Sequence, residues 1–215
     1  MSALLSQKLT LKLFNMKTNW QTKTLKEVVK IQSGFGFPKS MQGRTNEFFP
    51  FIKVSDMNLP GNEKFIQKWN NTVSKKDVKD KGYKVAPAGT IVFPKIGGAI
   101  GTNKKRILTT DSLYDNNVMG LIPTKEILSD YLFFWISNFD LSDWAVGATL
   151  PAITQARVEN TEISFPEISE QREIINNVQR ILGDILNVKI MTEKKMSMLN
   201  ELKKSVLQKA LSKGL

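Results

Sequence analysis

The feature that most constrains this chain lies near its end. Ile174, Val178, Ile181, Ile185 and Val188 recur at alternating spacings of four and three, which is a heptad seam. The seam returns in the same register at Leu199, Leu202 and Val206, with polar Thr192 and Lys195 at the positions between. Ile175, Leu182 and Leu186 widen the apolar face beyond a simple two-stranded stripe. Residues 169–213 hold no proline and one glycine, Gly183. A continuous helix from Gln171 to Lys213 would be about 65 Å long at 1.5 Å per residue. A helix of that length cannot bury its stripe against one small domain alone, so it calls for a second long helix. Two shorter helices folded back at Gly183 are the alternative, because a mid-helix glycine weakens the run.

The rest of the chain is differently made. With 215 residues, 41% of them hydrophobic, it has enough for one ordinary domain plus this appendage. The formal net charge of +11 points to a polyanionic partner, since Lys and Arg gain affinity by displacing counterions from phosphates. From residue 170 onward nine basic residues face five acidic ones, the mixed pattern of solvated coiled-coil flanks. The preceding residues carry 22 basic against 15 acidic groups, which places a nucleic acid on the globular part. The chain has no cysteine and no histidine. Disulfides, thiolate or imidazole metal sites and Ser–His–Asp catalysis are thereby excluded, while carboxylate–Mg²⁺ chemistry stays open. No [DN]-P-P-[YFW] methyltransferase signature and no P-loop is present. No apolar run approaches the ~20 residues that span a bilayer, and Met1–Leu13 lacks signal-peptide features, so a cytoplasmic protein with no membrane partner is expected.

Residues 1–19 read as a short leader, 20–168 as a globular domain and 169–215 as the long helix. In the middle region, short β-prone runs end at breakers: Val28–Ile31 before Ser33-Gly34, Phe48–Val54 before Pro60-Gly61, Gly89–Phe93 at Pro94, Asn117–Ile122 at Pro123 and Glu162–Phe165 at Pro166. One helix interrupts them, with Ser129-Asp130 as its expected N-cap and Tyr131, Leu132, Phe134, Trp135 and Ile136 behind it. The expected fold class is α+β: a mixed α/β domain followed by a long coiled-coil-forming helix. Two glycine-bearing loops stand out. Gly97, Gly98 and Gly101 precede Asn103, Lys104, Lys105 and Arg106, a pattern suited to phosphate contact or to a plain hairpin. Gly34 and Gly36 precede Lys39, Ser40, Gln42 and Arg44, which can supply base-edge hydrogen bonds or form an ordinary surface loop. Asp56 has no carboxylate partner and reads as a turn anchor, and Lys75–Lys81 reads as a solvated helical face.

Five segments, in order, resemble one family. Trp20, Leu25, Val28, Ile31 and Gly34 resemble W-x(4)-L-x-x-V-x-x-I-x-x-G, and Pro50–Met57 resembles its inner strand P-F-I-K-V-S-D-M. Gly89–Gly101 and Gly147–Ile153 are similar to its strand-and-loop and G-T-x-x-x-x-I segments. Phe165–Ile174 is similar to its P-P-x-x-E-Q-x-x-I entry into a long helix, and Ser169 within it can serve as that helix's N-cap. Over about residues 5–213 the chain resembles a half-size specificity subunit of type I restriction–modification systems, with one target-recognition domain and one helical region. Members usually carry two of each. The leader segment Ala3–Leu9 echoes Val206–Leu211, so the chain reads as either a half-length product or the second half of a longer protein.

The resemblance implies a non-catalytic protein that reads one half of a bipartite double-stranded DNA site. Methyltransferase subunits, and through them the restriction and motor subunit, would be its partners, and S-adenosylmethionine, ATP and Mg²⁺ would belong to those partners, leaving this chain without a cofactor. The expected DNA contacts are Lys39, Ser40, Gln42, Arg44, Lys53, Lys95, Asn103, Lys104, Lys105 and Arg106. A two-fold homodimer with antiparallel long helices would satisfy the seam. Two other readings remain, a self-contained nuclease or methyltransferase fragment and a coiled-coil scaffold that does not bind DNA.

Overall fold

The computed structural model of the protein describes residues 19–212; the leader and its echo of the C-terminal helix lie outside them. Twelve strands follow in chain order: β1 (Gln21–Thr24), β2 (Val29–Ser33), β3 (Phe49–Ile52), β4 (Phe65–Ile66), β5 (Thr72–Val73), β6 (Ile91–Pro94), β7 (Arg106–Leu108), β8 (Leu113–Tyr114), β9 (Val118–Pro123), β10 (Ala145–Val146), β11 (Ala152–Ile153) and β12 (Glu162–Phe165). The helices are α1 (Leu25–Val28), α2 (Lys75–Lys81), α3 (Ser129–Ser137), α4 (Gln155–Glu159) and α5 (Ile168–Ser212). The expected mixed α/β architecture ending in one long helix is what forms.

A five-stranded sheet, ordered β2-β9-β6-β7-β4, is the backbone of the domain. Ile91, Val92 and Phe93 on β6 are all fully buried, as a strand covered on both faces requires, which is why the sequence there is a continuous apolar run. A second sheet, β5-β3-β8, lies between two core clusters. Successive side chains of a strand point to opposite faces, so Phe51 joins Met41, Val73 and Leu113 while Ile52 joins Met57, Val92 and Leu108. Gly34 leaves β2 so close to the neighbouring chain that a Cβ there would stand 1.9 Å from the Asp115 carbonyl oxygen. Only glycine fits that approach.

The domain's two ends meet. β1 pairs antiparallel with β12 from Gln21↔Phe165 to Thr24↔Glu162. This brings Trp20 within 3.4 Å of Glu170 Oε1, to which its indole N–H donates, and edge-on to Tyr131. Gln171 is fully buried beside them. Its Oε1 accepts the Leu128 backbone N–H at 2.9 Å, and its Nε2 donates to the carbonyls of Glu126 (2.9 Å) and Pro166 (2.8 Å). The Glu-Gln pair of the family-like segment therefore ties the first turn of α5 to the loop ahead of α3. Two local expectations are corrected. The N-cap of α3 is Leu128 rather than Ser129, with no side-chain cap bond, and the Leu128 N–H itself is met by the Gln171 amide oxygen. Ser169 lies inside α5 and donates to Glu167 at 2.7 Å instead of capping it.

The chain divides into two compact units, with the division between Arg172 and Glu173. The second takes in α5 from Glu173 on; α5 as a whole is one unbroken helix of 45 residues through Gly183, about 68 Å long. The hairpin alternative is excluded. Ile181, Ile185, Val188, Leu199, Leu202 and Val206 are all exposed, Ile185 to 58% and Leu202 to 60%. Ile174 and Val178, near the start of the unit, are half-buried.

Candidate nucleic-acid interface

The candidate contact residues fall into two groups on different loops. The first begins where β2 ends and runs to β3. Lys39, Ser40 and Gln42 are exposed on a 3-10 turn, Lys39–Met41, whose Met41 is buried in the smaller core cluster. Backbone bonds fix the loop: the Gly43 N–H donates to Asn71 Oδ1 (2.8 Å), the Thr72 N–H to the Arg44 carbonyl (2.6 Å) and the Glu47 N–H to Thr72 Oγ1 (2.8 Å). The Arg44 guanidinium is already engaged, by Asp77 at 3.1 Å and by the Ser40 carbonyl at 3.1 Å. Asp77 also closes the Ser74 capping box of α2, and those bonds, ahead of Arg44, hold its carboxyl below the usual range. Gln42 Nε2 donates to the Phe37 carbonyl at 3.1 Å.

Two features of this group were not legible as site features. Phe48 lies in the bend just before β3 and Phe49, the strand's first residue, packs against the smaller core cluster, so one of the two faces outward. It is Phe48, 61% exposed. Lys75 Nζ lies 3.8 Å from its ring centroid, and Lys75 begins the α2 segment that reads as a merely solvated face.

The second group surrounds the glycine loop. Gly97 opens a 3-10 turn, Gly97–Thr102, at φ +69°, and its N–H donates to the Pro151 carbonyl at 2.7 Å. Asn103 ends the turn in the left-handed region at φ 52°, which a short amide side chain tolerates by local hydrogen bonding. Its Oδ1 accepts both the Leu141 N–H (3.0 Å) and Lys105 Nζ (2.6 Å). Lys105 is 5% exposed and also donates to the Phe139 carbonyl at 2.6 Å. Burial pulls its pKa down to about 8, with Asp140 opposing. Asn103 and Lys105 form a clamp joining the loop to the segment after α3. Two of the three donors of this buried ammonium are engaged within the protein.

Arg106 is turned partly inward. Its guanidinium donates to the Lys105 (2.8 Å) and Met57 (3.0 Å) carbonyls, its Nε is buried without a partner, and burial lowers its pKa. With Lys104, Glu63 and Asn58 it lines a shallow groove, where Lys104 reaches the Asn58 amide oxygen. Lys95 is half-buried, donates to Ser33 Oγ at 3.1 Å, and has its pKa lowered by burial. Lys53 is half-exposed and precedes a 3-10 turn, Val54–Asn58, anchored by Asp56, whose carboxylate accepts from Lys53 N (2.8 Å) and Asn70 Nδ2 (2.7 Å). Asp56 is the turn anchor its lone position implies. Among the described residues no cluster of three or more acidic side chains is placed to hold a metal ion, and no helix is long and apolar enough to cross a membrane.

Comparison with known proteins gives one family model, described as the type I restriction modification DNA specificity domain, which matches residues 17–200. A chain from a structure of type I R-M complex assembly and conformational transition superposes with a TM-score of 0.73 at 19% identity, covering 96% of this chain and 50% of that one. The HsdS subunit from Thermoanaerobacter tengcongensis gives 0.61 at 17% identity, covering 86% of this chain and 46% of its own. The type I S subunit from M. genitalium gives 0.53 at 14%, covering 80% and 41%. The chain spans about half the length of the solved structures it matches, and what it shares with them is the fold.

Proposed function

Because the chain belongs to the type I restriction modification DNA specificity domain family, we propose that it is a non-catalytic recognition subunit reading one half of a bipartite DNA site. The observation that carries this reading is the order of parts within one family match: a recognition-domain fold runs into a single 45-residue helix, and the match extends to residue 200 of it. Lys39, Ser40 and Gln42 on the first loop, with Lys53, Lys95 and Lys104, supply the DNA contacts. Arg44 can read a base only by leaving Asp77. Asn103, Lys105 and Arg106 shape the second loop from within.

The exposed seam supports a second copy of the chain against α5, with the two helices antiparallel and a recognition domain at each end. Apolar residues outside the seam, such as Leu182, Leu186 and Met191, are exposed too and leave room for methyltransferase subunits. S-adenosylmethionine, Mg²⁺ and ATP chemistry then belongs to those partners and to the motor subunit, in the cytoplasm. Fluorescence anisotropy of the full chain on duplex DNA tests the first step. Affinity is expected to fall log-linearly with salt; binding absent at every salt concentration contradicts the reading.

A further inference from the structure

Among the described residues Phe48 is the one aromatic side chain left exposed. Single apolar residues on a surface need no explanation by themselves, but this ring is held. Phe49 packs against its edge at a centroid distance of 4.6 Å and an interplanar angle of 77°, and the Lys75 ammonium sits 3.8 Å from its centroid. The loop beneath is fastened to Asn71 and Thr72 by three hydrogen bonds. A pinned ring loses little conformational entropy when something lands on it.

Its surroundings say what kind of surface that is. Internal ion pairs take up Arg44 with Asp77 and Lys76 with Asp80. Lys39 on this loop and Lys75, Lys79 and Lys81 on α2 form no ion pair among the described residues. Exposed polar side chains of Ser40, Gln42, Thr45 and Asn46 lie on the same loop. Protein–protein interface cores are depleted of lysine, whereas apolar wedges set among cations are how proteins grip base steps and unstacked bases.

We propose that Phe48 is a specificity-determining side chain that makes the apolar contact to a base of the bound duplex, with Lys75 beside it on a neighbouring phosphate. This rests on the DNA-recognition reading above and adds a residue that reading does not name. The test is selection of the full chain and its Phe48→Ala and Phe48→Trp variants on a random-sequence duplex library, followed by anisotropy on the duplex the parent chain selects. Phe48→Ala is expected to lose preference at one or two adjacent positions and to bind that duplex about ten- to hundredfold more weakly, the scale of one base–aromatic stack. Its melting temperature and salt slope stay unchanged, and Phe48→Trp keeps the preference. Lys75→Ala instead lowers the salt slope by about one unit. The same motif and affinity for Phe48→Ala overturns the assignment while leaving the DNA reading intact. The same outcome joined to loss of a bound methyltransferase subunit gives Phe48 to a protein interface. A parent chain that selects no motif removes both.

Discussion

Gln171 shows how a family-like residue pair acquires a physical meaning. A fully buried carboxamide makes three backbone hydrogen bonds, so Gln171→Leu strands one N–H and two carbonyls in the interior. A loss of about 2–3 kcal/mol in unfolding free energy is expected by urea titration; a loss below ~0.5 kcal/mol means the anchor is idle. Lys105 supplies a second prediction. Its folded pKa of about 8 lies below its ordinary 10.5, so between those values the unfolded chain binds more protons and stability rises with pH. Relative to Lys105→Met, the parent chain should gain in urea midpoint between pH 7.5 and pH 10. A constant difference contradicts the buried clamp. Neither residue's role was readable beforehand. A lysine between another lysine and an arginine defaults to the surface, and nothing local tells that Asn103 turns left-handed to receive it.

At the scale of elements, α5 was legible because its signal is a period: apolar side chains every 3.5 residues persist whatever the helix packs against. Gly183 costs that helix about 1 kcal/mol without breaking it. The strands were legible at their apolar runs and turn residues but not in their pairing. β3 joins β8 and β4 joins β7 in parallel, each through a long crossover, and no local pattern encodes such partners. The α3 cap was misread because apolar Leu128 takes the cap position, its own N–H met by a side chain 43 residues away. For α5, Ile185→Asp together with Leu202→Asp places charge on the exposed seam. Sedimentation equilibrium should show the parent chain as a dimer and the double variant as a monomer of unchanged domain stability. A parent chain that stays monomeric at every concentration removes the helix-pairing reading.

The whole molecule joins a basic domain to a long helix with an apolar seam, and most of the candidate contact residues lie on two loops that the fold positions by different means. The first loop is held from behind and leaves Lys39, Ser40 and Gln42 outside, while the second draws Lys105 and much of Arg106 inward. Charge alone could assign DNA to the domain but not divide the loops in this way. If the proposed function holds, target preference is expected to transfer with residues 20–168. The most direct measurement reconstitutes the chain with its methyltransferase subunit and maps methylated bases on genomic DNA by single-molecule sequencing. It is run before and after residues 20–168 are replaced by the recognition domain of another family member. The account predicts one methylated motif that changes with the exchanged domain. A motif that survives the exchange, or methylation that needs no specificity chain at all, contradicts it.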